Sequence, residues 1–355
     1  MTVIRGYLGR AILRSTLMVI AVLLALGGFI EFVGQLDDVG VGEYGVLQGI
    51  AYAAMKLPEL AFVMLPMAAL LGGLLGLGSL ANASEMIALR AAGISAVSLA
   101  RSVLVSAALL SVITMALGLY LAPPLERYSR QFRTFAMHGP SGLASAQSAW
   151  VRDGNTIMNM SRMGDPTSFG GVYLFRLESA GRLASIARAD SAGIGGGGEW
   201  TLNNFSETRF DAQGVTVRRE KTFAEPTGLS PELLSLTIVR AEALNGLALW
   251  RFARYLRENG LDSHRYEAAF WGRIAASVAV MPMCVLALSF AFGQLRRDGT
   301  GARMIIGIVI GLAYFLISRA LADGGEVYKL HPVLIGWLPT LLLAGASAAA
   351  LARAR

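Results

Sequence analysis

Charge is scarce in this chain. Only 15% of its 355 residues are Asp, Glu, Lys or Arg, whereas a soluble domain carries about 25%. With 54% hydrophobic residues and a mean hydropathy of +0.54, the starting class is an integral membrane protein. Cysteine is nearly absent as well. Cys284 stands alone in an apolar run, which excludes an internal disulfide or a cysteine-based zinc site and leaves the redox compartment unmarked. Catalytic signatures are missing too. Without a GxxxxGK[ST] stretch the chain has no phosphate-cradling loop of its own. His138, His264 and His331 lie far apart, none in HExxH, and no GxSxG nucleophile elbow occurs. A catalytic or metal site within this chain is therefore not expected. The formal net charge of +7 does not point to nucleic acid, because many of the basic residues flank apolar runs, where they act as a topology signal.

Long apolar runs are what the sequence does have. The first, at 12–33, follows Arg5, Arg10 and Arg14. It exceeds the roughly 7–15 residues of a signal-peptide core and reads as an uncleaved span. Five more lie at 60–80, 100–122, 271–293, 303–322 and 333–352, each near the ~20 residues that cross a hydrocarbon core. Gly72 with Gly76, and Gly307 with Gly311, have the four-residue spacing of close helix packing in lipid. Arg90 and Arg101 lie on the same side as the N-terminal arginines, as do Arg296, Arg297, Arg303, Arg353 and Arg355. The opposite short loops hold mainly Lys56 and Lys329 beside Asp37, Asp38, Glu43, Asp323 and Glu326. Both termini are thus expected to be cytoplasmic. Arg251, Arg254, Arg257, Arg265 and Arg273 run against that assignment, but long loops translocate largely regardless of charge.

The segment 124–270 then falls outside, and it is a different kind of sequence. YLFRLESAGRLASIARADSA reads as two strands around Ser-Ala-Gly, and TLNNFSETRFDAQGVTVRRE as two around Ala-Gln-Gly. Gly195 to Gly198 form a loop. The expected insert is a small antiparallel β sandwich or jelly roll. GLALWRFARYLRENG follows as an amphipathic helix with Leu249, Phe252, Ala253 and Leu256 on one face. It ends at Asn259-Gly260 and is expected at the membrane surface. The fold class is an α-helical integral membrane protein with six transmembrane helices plus an antiparallel β-jelly-roll insert. Residues 1–123 carry spans one to three, 124–270 the insert and connecting helix, and 271–355 spans four to six.

Three stretches carry charge where it is informative. SLANASEMIALRAAGIS, between spans two and three, predicts a short helix near 83–92: Asn82 as cap, Glu85 three residues on as its capping-box partner, Gly93 as stop. At about ten residues, roughly 15 Å, its Met86, Ile87, Leu89 and Ala91 are too few to span anything. It presents a small surface to something beside the membrane. Glu31 and Arg319 sit near the outer ends of spans one and five. They either reach the headgroups or line a cavity or meet a partner chain. PLERYSRQFRTF places Arg127, Arg130 and Arg133 along one helix side, as a phosphate ladder or a solvated face.

LPMAALLGGLLGLGSLANASEMIALRAAGIS closely resembles the second span and following loop of the lipopolysaccharide-export permease family (LptF/LptG), most nearly its G-type members. The similarity continues through LAPPLERYSRQFR, SAWVRDGNTIMNM, YLRENGLDSHRYEAAFWGRI and LALSFAFGQLR. The resemblance implies a permease subunit that extracts lipopolysaccharide from the outer leaflet of the bacterial inner membrane. It implies pairing with a homologous F-type permease on a dimeric cytoplasmic ATPase, which would hold the ATP and Mg. The β-jelly-roll would be periplasmic and join a bridge of similar jelly rolls, one of them carried on a single-span anchor. The short helix would be the coupling helix, with Glu85, Met86, Ile87 and Arg90 contacting the ATPase. Arg130 and Arg133, with Arg127 and Lys56, would meet the lipid's phosphates. Glu31 departs from the pattern: the G-type members often have a basic residue there. Span one of each permease would face span five of its partner, so Glu31 and Arg319 would stand at opposite gates. Two alternatives stay open: a permease or mechanotransmitter for another lipid or lipoprotein, and a non-transport scaffold whose β-domain recruits partners by strand addition.

Overall fold

The computed structural model describes residues 2–144, 148–162, 168–178, 182–194, 199–211, 214–226, 241–292 and 300–353. The Ser-Ala-Gly turn, the glycine run 195–198, Ala212 and Gln213 of the Ala-Gln-Gly turn, and Arg296, Arg297 and Arg355 lie outside them.

Six helical stretches are long and apolar enough to cross a membrane. They are α1 (Thr2–Val33), α2 (Val46–Asn82), the continuous α4 (Ala96–Ala116) and α5 (Ala122–Ala144), α7 (His264–Phe292), α8 (Thr300–Val327) and α9 (Pro332–Arg353). A short α3 (Glu85–Ala91) separates α2 from α4, and α6 (Gly246–Glu258) precedes α7. Between α4 and α5 one turn widens to a π-helix, Leu117–Leu121. Pro123 and Pro124 explain it, since neither has an N–H to donate to the carbonyls four residues back.

α2 and α7 form the centre, packed against each other, with α1 and α8 on α2 and α9 on α7. The glycine pairs do what their spacing suggests. A Cβ on Gly72 would lie 2.4 Å from Thr16 Cα, and one on Gly76 2.6 Å from the Ala11 carbonyl oxygen, so α1 and α2 touch backbone to side-chain root. Gly307 and Gly311 of α8 make room instead for the side chains of Leu74 and Met67 of α2. The centre is covered and the flanks are not: 67% of the most apolar stretch of α2 and of α7 is buried, against 17% for α1 and 11% for α8.

The insert begins beyond α5, which is broken at Gly139 (φ 64°). Among the described residues it is one six-stranded antiparallel sheet in sequence order. Its strands are β1 (Ser148–Asp153), β2 (Thr156–Arg162), β3 (Ser168–Leu177), β4 (Leu183–Ile194), β5 (Glu199–Asp211) and β6 (Gly214–Pro226). The β3–β4 and β5–β6 pairs are those read from the sequence. The β1–β2 hairpin, closed by Gly154 (φ 57°), carries the same signal in Asp-Gly-Asn. Alternation sends Met158, Met160, Val172, Leu174, Ala187 and Ala189 to one face. Asn204 (φ 53°) resets the phase, so Trp200 and Leu202 are followed inward by Phe205 and Glu207. Glu207 is satisfied by Ser185 Oγ, which donates at 2.7 Å, and by an ion pair with Arg176.

The apolar face of α6 is taken up by the sheet. Leu249, Phe252, Tyr255 and Leu256 enter the sheet's core together with Tyr266 and Phe270 of α7, because that inner face needs an apolar cover. Asn245 caps α6, accepting from the Ala248 N–H at 2.8 Å, and Gly260 (φ 66°) ends it. Arg273 of α7 donates to the carbonyls of Leu244 and Ala241. The sheet is thus seated on the bundle through α6 and the first turns of α7.

Candidate functional site

Two features occupy opposite ends of the bundle. At the sheet end the basic residues of the ladder meet carboxylates from distant parts of the chain. Glu126 of α5, its side chain 2% exposed, pairs with Lys56 Nζ of α2 at 2.7 Å and with Arg130 Nε at 2.5 Å. Lys56 also reaches Glu59 at 2.9 Å. Arg133 pairs with Asp38 of the α1–α2 loop and lies 5.8 Å from the ring centre of Tyr52. The loop is fixed for this: the Glu43 N–H donates to the Ala136 carbonyl at 2.8 Å, and buried Tyr44 donates to Gln35 Oε1 at 3.2 Å. Arg127, half-buried on α5, is partnered as well.

Three cations, Lys56, Arg130 and Arg133, are therefore balanced by three carboxylates, Glu59, Glu126 and Asp38. Two of the ladder arginines, Arg130 and Arg133, thus stand with Lys56 in a carboxylate-paired cluster that has a deep and a shallow half. Glu126 and Lys56, at 2% and 14% side-chain exposure, form the deep half, while Arg130 and Arg133, at 44% and 36%, reach the surface. Arg130 shares its buried partner Glu126 with Lys56, whereas Arg133 and Asp38 are both partly exposed, at 36% and 23%, which makes theirs the weaker tie.

Glu31 and Arg319 stand apart, on α1 and α8. Arg319, on the exposed side of α8, is paired with Asp323 one turn on at 2.9 Å. Glu31 is half-buried near the end of α1, close enough to Tyr44 and Tyr52 for its charge to act on both.

The other end holds α3, seven residues long. The capping box read from the sequence is not formed. Asn82 is the last residue of α2, and its Oδ1 accepts from Arg303 Nη2 at 2.9 Å. The N-cap is Ser84, left-handed at φ 61° and without a side-chain cap bond. Glu85 instead accepts from the Tyr7 hydroxyl at 2.6 Å. A long-range donor on α1 outcompetes the local backbone one because a two-turn helix cannot stand by itself and must be held from outside. Gly93 (φ 85°) ends α3 as expected, with Gly93 N–H bonded to the Arg90 carbonyl and Ile94 N–H to that of Leu89.

The predicted contact residues divide. Met86 is 2% exposed and packs in the bundle core with Leu80, Leu99 and Leu288, burial that contributes roughly 1.5–3 kcal/mol. Its side chain anchors α3 in the bundle. The Ile87 side chain lies outside the described residues. Arg90 is exposed, with its guanidinium 5.5 Å from the Phe292 ring centre at the end of α7. Arg303, counted among the topology arginines, is buried at 4%. Its Nη1 rests over Gly78, where a Cβ would stand 3.2 Å away.

The family model described as lipopolysaccharide export system permease LptF/LptG matches residues 6–353. The chain belongs to the LptF/LptG family. It is 32% identical over 340 residues to the lipopolysaccharide export system permease protein LptG of Escherichia coli (strain K12), covering 95% of this chain and 94% of that protein. To LptG of Haemophilus influenzae it is 30% identical over 337 residues, with 95% and 94% covered. To LptF of Escherichia coli (strain K12) it is 24% identical over 353 residues, with 96% and 92% covered. Within the family the likeness is thus stronger to the LptG members, and it takes in both the bundle and the sheet.

Proposed function

We propose that this chain is a permease subunit of lipopolysaccharide export, lying in the bacterial inner membrane with both termini cytoplasmic and its sheet periplasmic. The observation that carries the reading beyond family membership is the uneven covering of the bundle. α1 and α8 leave long apolar faces open on either side of α2, beside a cluster whose outer arginines are exposed. A homologous F-type permease set against those faces encloses a cavity with apolar walls and a charged rim. That arrangement suits lipopolysaccharide. Each CH₂ withdrawn from a bilayer costs about 0.8 kcal/mol unless another apolar surface replaces it, and phosphate suits arginine's fork.

Energy enters at α3. ATP and Mg are held by a separate dimeric ATPase, and its closure displaces α3 through the outward side of the helix, where Glu85 and Arg90 stand. The exported lipid passes to periplasmic jelly-roll partners through an open sheet edge.

The test is native mass spectrometry of the complex extracted gently from its own membrane. The expected assembly is this chain with one homologous permease, two ATPase copies and bound lipopolysaccharide. The same assembly carrying another lipid changes the cargo, and the chain without an ATPase makes it a scaffold. As a second measurement, Glu85→Ala weakens ATPase association. Unchanged co-purification together with unchanged stimulated ATP hydrolysis removes α3 from the coupling route.

A further inference from the structure

At the α3 end of the bundle one buried charge is only partly bonded. Arg303, in the first turn of α8, is 4% exposed. Its Nη2 donates to Asn82 Oδ1 at 2.9 Å, but Nε and Nη1 are buried without a hydrogen-bond partner. The carbonyl end of α2 offsets part of the charge through the helix dipole without filling either donor. Buried charges are ordinarily paired and fully hydrogen-bonded, so this guanidinium keeps two places for an acceptor.

A carboxylate matches a guanidinium best, and the charge inventory names it. This end of the bundle is built from residues 2–14, 79–101, 285–292, 300–306 and 345–353. Among the described residues there, Glu85 is the sole carboxylate. It is engaged by a neutral surface donor, the hydroxyl of Tyr7, a residue 48% exposed, at 2.6 Å. Glu85 follows Asn82 by three residues, so their Cα atoms lie at most ~11 Å apart, and Asn82 already touches the guanidinium. Between them Ser84 is left-handed at φ 61° with no side-chain cap bond. That conformation is unfavourable for a residue with a Cβ, and strained residues of this kind gather at switch points. Met86 is fixed in the core just beyond, so a change at Ser84 turns Glu85 about a held point.

We infer that Glu85 exchanges between two donors, the Tyr7 hydroxyl and the open nitrogens of Arg303. In the first arrangement, that of this structure, α3 is fastened to α1; in the second it is fastened to α8. Arg303 is thus a positioning residue that acts through Glu85, and its unbonded nitrogens are those of the second arrangement. The exchange belongs to this chain alone. That an ATPase drives it rests on the coupling role proposed for α3.

The test traps the second contact in the full chain in nanodiscs. Arg303→Lys supplies an amine far from the chain's own Lys56, Lys221 and Lys329, and a carbodiimide joins it to Glu85 only on direct contact. The expected product is an amide between Glu85 and the introduced lysine, mapped by peptide mass spectrometry. Tyr7→Phe raises its yield about tenfold, ~1.4 kcal/mol in the exchange equilibrium, the order of a lost hydrogen bond to a charged group. Glu85→Gln abolishes the product, and Ala302→Lys, at the exposed neighbouring position, gives none. With Arg303 retained, Tyr7→Phe slows hydrogen exchange in the first turns of α8 and Glu85→Gln cancels the slowing; this arm serves if lysine at 303 impairs folding. Adding the ATPase with a non-hydrolysable ATP analogue raises the yield. A link that ignores the ATPase removes the coupling role and keeps the exchange. An equal link from Ala302→Lys, a yield unmoved by Tyr7→Phe, or no link together with unaltered α8 exchange overturns the inference, even where the ATPase still binds.

Discussion

Replacing Glu126 by Gln removes the carboxylate on which the sheet-end cluster closes. Taking one member from a buried pair costs about 3–5 kcal/mol, because the other charge is left buried and alone. Two details place this variant at the lower end. Lys56 keeps Glu59 at 2.9 Å, and the other partner, Arg130, is 44% exposed, where a lost pair matters little. A loss of about 3 kcal/mol is expected, nearly all of it from Lys56 at 14% exposure. Lys56→Met removes the orphaned cation. The double variant then regains most of the loss, with a coupling of about 2 kcal/mol, within the range seen for contacting residues. Denaturant unfolding of the purified full chain in detergent, followed by tryptophan emission for all four members of the cycle, supplies the numbers. Strict additivity, with coupling below about 0.5 kcal/mol, would refute the view that this pair holds α2 to α5.

Asp38→Asn releases Arg133 from its partner and should strengthen binding of a phosphorylated lipid A analogue by up to about tenfold, ~1.4 kcal/mol; unchanged affinity in a titration would show that Arg133 does not meet phosphate. Gly72→Leu drives a side chain into the Thr16 backbone and should cost at least about 1–3 kcal/mol, read as a lower unfolding midpoint, with Gly345→Leu as the neutral control. In the sheet, burial alone would raise the Glu207 carboxyl, but the Ser185 hydrogen bond and the Arg176 charge more than offset it and hold it below the ordinary range. As pH falls, the unfolded chain takes up that proton first. The stabilisation is therefore full above the unfolded value of about 4.3 and is lost as pH falls through the lower folded one. Glu207→Gln should lie about 1–3 kcal/mol below wild type at neutral pH and converge with it in acid; a constant gap between them speaks against the assignment. Tyr7→Phe removes the donor to Glu85, and hydrogen exchange of the α3 amides should rise while that of α2 stays unchanged.

What the sequence made legible follows the range of the interactions. Spans, hairpins and α6 rest on period and turn chemistry within a few residues, and they stand where periodicity places them. The glycine pairs were readable because helix contact in lipid depends on what is missing at one position. The charge cluster was not, since Asp38 and Arg133 are 95 positions apart and no local pattern joins them. One local sign was present: Glu126 precedes Arg130 by four residues, the spacing of a helical ion pair. The capping box at Asn82 failed for the same reason of range. Its geometry is local, but Arg303 and Tyr7 arrive from elsewhere and take both of its members.

The attachments of α3 have a mechanical consequence. This two-turn helix is tied to α1 through Tyr7, to α7 through the ring of Phe292, and to the core through Met86. One step back along the chain, Asn82 holds Arg303 of α8. A load applied at this small foot is thus shared at its source among the central pillar and both uncovered flanks. The flanks α1 and α8 are the lightly buried members, while α7 is wedged among its neighbours. The small foot is thus wired to covered and uncovered helices alike.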